Sequence, residues 1–209
     1  MYFIIFFLSS QYKNQIPLEN RRKICYNLIK CKGRFENMEK KANTGLEIER
    51  KFIINMPDIS LMSTRDEYTK SDILQIYITS LPGETHRVRK RAYADNILFF
   101  ETRKIRIDNI SSTEIEGEIT EERFNELCKN ILDGTLPIVK TRHTFLYDSH
   151  TFEIDVYPNW TRTAVMEIEL NDREEQVMIP EFIGIIKDVT GDKKYSNAAM
   201  SRSFPEEII

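Results

Sequence analysis

From Gly45 to Leu170 the chain alternates apolar and polar residues with a period of two, broken once by a stretch of helical period. Side chains of a β-strand point alternately to two faces, so such runs predict half-buried strands. In "LEIERKF", Leu46, Ile48 and Phe52 share one face with Arg50, while Glu47, Glu49 and Lys51 share the other. The same pattern predicts strands over Gly45–Asn55, Ser71–Thr79, Thr85–Ala94, Ile97–Ile107 and Thr113–Thr120, the third and fourth joined as a hairpin around Asp95-Asn96. Strands resume over Leu136–Tyr147, Thr151–Tyr157 and Ala164–Leu170. The break is "EERFNELCKNIL", where Phe124, Leu127, Cys128, Ile131 and Leu132 fall on one helical stripe, with Thr120 as N-cap and Gly134 near the end. "IPEFIGIIKDVTGDKKYSNAAMS" predicts a short helix, a turn at Gly191 and a last helical turn. Many antiparallel strands with one inserted helix make an α+β or barrel pattern.

The polar faces are unusual in their sign. Arg87, Arg89 and Arg91 share a face, and so do Glu114, Glu116 and Glu118. Lys140 pairs in this way with Arg142, Glu153 with Asp155, and Glu167 with Glu169. One such strand alone reads most simply as a sheet with one wetted face. Solvated strands usually mix Thr, Ser, Lys, Gln and Glu, however, and like charges at i and i+2 on one face repel. A closed sheet with its charged faces turned inward offsets that repulsion, because basic strands then lie across from acidic ones around a polyvalent ligand. Clustered carboxylates suit a hard divalent cation such as Mg²⁺ or Mn²⁺. Arginine and lysine suit phosphate oxygens. Together they point to metal-chelated polyphosphate.

Composition narrows the classes. The 209 residues are 41% hydrophobic and 30% charged with a net charge of -3, which argues against a nucleic-acid binder held by bulk positive charge. Only 7 Gly and 7 Pro argue against disorder. Cys25, Cys31 and Cys128 form no CxxC pair and no disulfide framework, which fits a reducing cytoplasm. The opening "MYFIIFFLSS" is shorter than the roughly 18 apolar residues of a spanning helix and lacks a preceding basic residue. Residues 1–37 read as a floppy or membrane-touching leader, or as a segment not normally made, with Met38 as the true start. The latter reading rests on Lys32-Gly33-Arg34, which a purine-rich, ribosome-binding-like stretch can encode. The expected organisation is a leader over 1–44, one domain over 45–203 and a tail over 204–209.

Glu47-Ile48-Glu49-Arg50-Lys51 resembles the ExExK signature of the triphosphate tunnel metalloenzymes, the CYTH superfamily. Its companions follow in family order: "QIY" at Gln75–Tyr77, "RVRKR" at Arg87–Arg91, "TRK" at Thr102–Lys104 and "EIEGEI" at Glu114–Ile119. "KTRH" at Lys140–His143, "FEIDVY" at Phe152–Tyr157, "MEIEL" at Met166–Leu170 and "DVTGDKKYSN" at Asp188–Asn197 complete the set, which covers about residues 45–200. The resemblance implies a closed eight-stranded antiparallel β-barrel with a few flanking helices, whose tunnel binds a triphosphate and Mg²⁺ or Mn²⁺. It implies Glu47, Glu49, Glu167 and Glu169 as metal ligands, and Arg87, Arg89, Lys104, Lys140 and Arg142 as phosphate-binding residues. Lys51 is implied to sit by the scissile phosphate or to orient the attacking water, with Glu114, Glu116 and Asp155 serving a second metal or positioning the water. The implied activity is metal-dependent hydrolysis of inorganic tripolyphosphate or a nucleoside triphosphate. The alternatives are a class IV-type adenylate cyclase and a non-catalytic polyphosphate or nucleotide-binding module. The implied partner is a triphosphate-containing small molecule, with no nucleic acid, no membrane for the folded domain, and a homodimer allowed.

Three positions depart from the family pattern. Ser112 stands where Arg is common, His143 where Tyr is common and Asp188 where Glu is common. The first removes a phosphate contact for which Arg91 or Arg103 are the candidates to compensate, although Arg103 has the wrong strand parity relative to Lys104. His86, His143 and His150 lack metal-ligand spacing and read as ordinary surface or strand residues; Cys128 and Trp160 read as packing residues.

Overall fold

The computed structural model describes residues 43–108 and 111–208, and for residues 43–47 and 111 the backbone alone. The expectations for residues 1–42 lie outside that range. The alternating runs form β1 (Asn43–Asn55), β2 (Asp66–Ile78), β3 (Glu84–Ala92), β4 (Ile97–Arg106) and β5 (Ser111–Ile119). After a helix these continue as β6 (Ile138–Tyr147), β7 (His150–Val156), β8 (Thr163–Leu170) and β9 (Ile185–Asp188). The short helices are α1 (Ile59–Met62), α2 (Glu121–Leu127) and α3 (Asn197–Met200), with single 3₁₀ turns at Cys128–Asn130 and Lys193–Tyr195.

Among the described residues the nine strands form one antiparallel sheet in the order β5-β4-β3-β2-β6-β7-β8-β1-β9, an α+β fold. β1 is long because it serves three neighbours. It pairs with β8 along Ile48–Asn55 on one edge, and on the other with β5 along Asn43–Ile48 and then with β9 along Phe52–Ile54. Phe99 lies opposite Ile119 and Lys104 opposite Glu114 in the β4–β5 register.

Two of the three apolar clusters among the described residues lie on the face opposite the charged one. Ile48, Phe52 and Ile54 of β1 join Phe152 and Ile154 of β7 and Met166 and Ile168 of β8, beneath Met62 of α1 and Ile183. A second cluster packs Ile76, Val88 and Phe99 against Phe124 and Leu127 of α2, with the Phe99 and Phe124 rings 5.0 Å apart. The helix therefore presents its apolar stripe to the sheet, as its period requires. Thr120 caps it by accepting from the Arg123 amide at 3.2 Å. Thr120→Ala is expected to cost about 1 kcal/mol, read as a fall in Tm of roughly 2–4 °C.

The third cluster lies on the charged face itself. Ile53, Tyr77, Ile138 and Val165 have the strand parity of Lys51, Gln75, Lys140 and Glu167, and they pack with Tyr157, Trp160, Val189 and Tyr195. On β1, β6 and β8 the same face thus turns from charged to apolar, and on β2 from polar to apolar. Trp160 is a packing residue, set edge-on to Tyr157 and Phe204. Residues 204–208 join this cluster through Phe204 and Ile208. Glu207 accepts from the amides of Thr161 and Thr163 at 2.9 and 2.8 Å.

Several elements differ from expectation. The stretch expected to be a short helix is instead β9 at Ile185–Asp188, which fills the edge of β1 that β5 leaves. Gly184 permits that approach, since a Cβ there would lie 2.6 Å from the Asn55 side-chain nitrogen. β2 begins at Asp66 rather than Ser71, and α1, capped by Asp58, was not expected. α2 stops at Leu127, where the chain tightens into a 3₁₀ turn. His86, His143 and His150 are strand residues, but all three are buried. Each has a polar neighbour: Glu101 at 2.9 Å, the Tyr68 hydroxyl at 2.9 Å and the Asp148 carbonyl at 2.8 Å.

Candidate active site

The charged faces line a cavity of about 360 Å³. β3 contributes Arg87, Arg89 and Arg91, β4 contributes Lys104 and Arg106, and β6 contributes Lys140 and Arg142. Between them β2 contributes Gln75 and Tyr77, which carry no charge. β3, β2 and β6 are adjacent, and β4 flanks β3, so the cations form one wall. β7, β8, β1 and β5 follow one another by pairing and supply Glu153, Glu167, Glu169, Glu49, Glu114 and Glu116. Lys51 is a cation set within this acidic wall.

Where the walls meet, opposite charges pair. At the β6–β7 seam Arg142 faces Asp155 in register, and its Nε and Nη2 donate to the two Asp155 oxygens at 2.7 Å each. Asp155 is 0% exposed and is also held by the Lys140 ammonium. Arg142 reaches Glu153 as well, and Glu167 at 2.7 Å. At the β4–β5 seam Glu114 lies 3.1 Å from Lys104 and 3.0 Å from Arg87, and Glu116 accepts from Arg89 and from Thr102 at 2.6 Å. Glu114, Glu116 and Asp155 are therefore engaged by the cations that they hold in place.

Lys51 lies 2.7 Å from Glu167 and 3.6 Å from Glu49. Burial opposes its charge, but these two carboxylates outweigh burial and push its pKa well up, so it stays protonated. Glu167 is held well below the usual carboxylate range, against its burial, by Lys51 and Arg142. Burial and the neighbouring Arg142 charge bring Lys140 down to about 8, despite Asp155.

The acidic wall also contains like charges in direct opposition. Glu49 faces Glu169 across β1 and β8, and Glu153 faces Glu167 across β7 and β8. Like charges directly opposite on one face are destabilising. Glu169, exposed at the rim, has its pKa raised by desolvation and by Glu153, in spite of Lys104. Among the described residues no three acidic, His or Cys side chains converge closely enough to form a finished metal cage. Glu167 is drawn instead to Lys51 and Arg142, and Glu47, opposite Ser112 in register, is described only in its backbone.

Every expected phosphate-binding residue lines the cavity, and so do Glu49, Lys51, Glu167, Glu169, Glu114 and Glu116. Three further charged lining residues were not among the expected site: Arg91, Arg106 and Glu153. Strand parity already sets Arg91 and Glu153 on the charged faces, and it extends to Arg106, two residues beyond Lys104. Arg103 points the other way, to Glu84 at 3.2 Å, as its parity dictates. Lys193 and Lys194 are exposed, and Ser196–Ala198 line the cavity. Gln75 donates to the Tyr77 hydroxyl at 2.8 Å, leaving its buried Oε1 without a protein partner.

No protein-family model and no curated protein matches the chain. Solved structures do. The inorganic triphosphatase NE1496 is 27% identical, over 77% of this chain and 97% of that one, with a TM-score of 0.49. PH1819 from Pyrococcus horikoshii OT3 is 24% identical, over 62% and 80% of the two chains, with a TM-score of 0.49. A putative adenylyl cyclase from Hippeastrum, HpAC1, described as having a dominant triphosphatase activity, is 14% identical over 61% and 81%, with a TM-score of 0.45. No described helix is long and apolar enough to cross a membrane. In the motif strings it carries in order, and in the cavity those strings line, the chain resembles the triphosphate tunnel metalloenzyme, or CYTH, family.

Proposed function

We propose that this protein is a divalent-metal-dependent phosphohydrolase that cleaves a triphosphate, inorganic tripolyphosphate or a nucleoside triphosphate, inside its charged cavity. The pairing of β1 with β5 supports reading the first eight strands as a closed barrel around it. The carrying observation is the division of one cavity into a wall of arginines and lysines and a wall of carboxylates. A chain of phosphates alone calls for the first wall and would be repelled by the second. A metal alone calls for the second and would be repelled by the first. A metal–triphosphate complex satisfies both.

In this reading Arg87, Arg89, Lys104, Lys140 and Arg142 grip the phosphate oxygens. Glu114, Glu116 and Asp155 pre-orient those cations, which removes reorganisation at the moment of reaction. Phosphoryl transfer needs mainly positioning and charge stabilisation, which this arrangement provides. The opposed pairs Glu49/Glu169 and Glu153/Glu167, with the raised Glu169, fit a hard cation that relieves their repulsion. Glu49, Glu169 and Glu167 with Glu47 would hold Mg²⁺ or Mn²⁺, which supplies charge neutralisation at phosphate oxygens and polarises water. Lys51, kept protonated, orients the scissile phosphate or the water and does not act as a base. The cysteine pattern fits a reducing cytoplasm.

The test is a product assay of the purified protein with tripolyphosphate, ATP and thiamine triphosphate, in Mg²⁺ and in Mn²⁺. Orthophosphate release is the expected result. Cyclic AMP with pyrophosphate would replace hydrolysis by cyclisation, and binding without turnover would replace it by a binding module. Lys140 adds a pH dependence. Its charge is present below about pH 8 and lost above it, so KM for tripolyphosphate is expected to rise above that pH. Lys140→Arg keeps its charge throughout and is expected to flatten the rise.

A further inference from the structure

Along β4 the cavity-facing positions are Thr102, Lys104 and Arg106, each two residues from the last. Thr102 is fully buried, Lys104 is half-buried and Arg106 is exposed, so this row climbs from the interior to the rim. The acidic wall climbs the same way. Lys51 and Glu167 are buried to 11% and 12% side-chain exposure, whereas Glu49 reaches 37% and Glu169 is exposed. Arg106 is therefore a rim cation of the basic wall, as Glu49 and Glu169 are rim carboxylates of the acidic one.

What stands beside Arg106 is as telling. Its register partner on β5 is Ser112, which is 5% exposed and lines the cavity too. Ser112 in turn lies opposite Glu47 of β1. A serine at this junction leaves the cavity side of the β4–β5 seam open to the long guanidinium of its neighbour. Arg106 Nε donates to the Asp108 carbonyl at 2.9 Å, which fixes the base of the side chain. Arg103, the other arginine on this strand, faces outward to Glu84.

We infer that Arg106, admitted by the small Ser112 beside it, is the outermost phosphate-holding residue of the cavity and sets the length of phosphate chain that the site accepts. The inference rests on the phosphohydrolase reading above and gives it a substrate class: linear inorganic polyphosphates long enough to reach the rim. Two residues of strand advance about 6.6 Å, so a phosphate chain held at Lys104 needs further units before it meets Arg106. Short chains end below it.

The experiment compares wild type, Arg106→Ser, Ser112→Arg and the double variant on pyrophosphate, tripolyphosphate and tetrapolyphosphate, with binding measured in parallel by calorimetry. Arg106 is exposed, so its replacement leaves the core untouched. Arg106→Ser is expected to raise KM by about 3–10-fold for the longer chains, as for a charge-assisted contact screened at a rim. Pyrophosphate affinity, read by calorimetry, is expected to hold. The double variant, which moves the guanidinium across the register pair, is expected to recover most of the loss. An unchanged KM in Arg106→Ser for tetrapolyphosphate, or an equal change for all three chain lengths, overturns the inference. Should wild type bind these chains without hydrolysing them, the phosphohydrolase reading falls, and the calorimetric length dependence then decides the role of Arg106 alone.

Discussion

Lys51→Ala is expected to leave a folded protein whose kcat for tripolyphosphate falls by at least about 10²–10³-fold, the usual loss on removing one preorganised donor from a reacting centre. The ammonium is 2.7 Å from Glu167 and 3.6 Å from Glu49, so it stands within the acidic wall of the cavity, beside two of the carboxylates proposed to hold the metal. Stability should suffer less than activity. Glu167 keeps Arg142 at 2.7 Å after Lys51 is gone, and no buried charge is left unpaired. The loss should fall on kcat more than on KM, because the remaining cations still hold the substrate. Glu49→Ala is expected to abolish turnover as well, through the metal side of the site. Thermal melts check the fold and phosphate release checks the rate. Wild-type turnover of tripolyphosphate and ATP in either variant would remove these residues from the site.

The alternation of "LEIERKF" and its companions was enough to place the strands, because a period of two survives whatever the sheet packs against. It was also enough to place the charged faces together, since parity alone puts Arg87, Arg89 and Arg91 on one side. Two things were not legible. One is the sharing of charge within the cavity: only the register, which sets Glu167 opposite Lys51 and near Arg142, shows that this expected metal ligand also joins ion pairs. The other is the C-terminal stretch. Ile185–Asp188 has no alternation to read, and its strand exists because β5 leaves the edge of β1 open past Ile48. Arg106 belongs to the first kind, since its neighbour Ser112 is remote in logic until β4 and β5 are laid side by side.

Arg142→Met, which keeps most of the side-chain volume, is expected to be the most destabilising single change in the site. The guanidinium grips both oxygens of a fully buried Asp155 and also reaches Glu153 and Glu167. Breaking a buried pair so that a carboxylate is left behind costs about 3–5 kcal/mol, or roughly 6–20 °C in Tm for a chain of this size. The pH dependence separates this electrostatic cause from lost packing. In wild type, Arg142 and Lys140 hold Asp155 below the usual carboxylate range, against its burial, and Lys51 and Arg142 do the same for Glu167. Those groups contribute stability that is present above the unfolded carboxylate pKa of about 4 and lost as pH falls through the lower folded values. In the variant Asp155 keeps Lys140 and Glu167 keeps Lys51, so each carboxyl is held down less strongly than in wild type and protonation costs the folded state less. The gap in Tm between wild type and Arg142→Met should therefore narrow as pH falls below about 4. Added Mg²⁺ should narrow it too, by neutralising carboxylates that no longer have an arginine. A gap that is constant across pH would show that Arg142 acts through its methylenes, and the charge-paired seam between the two walls would lose its energetic role.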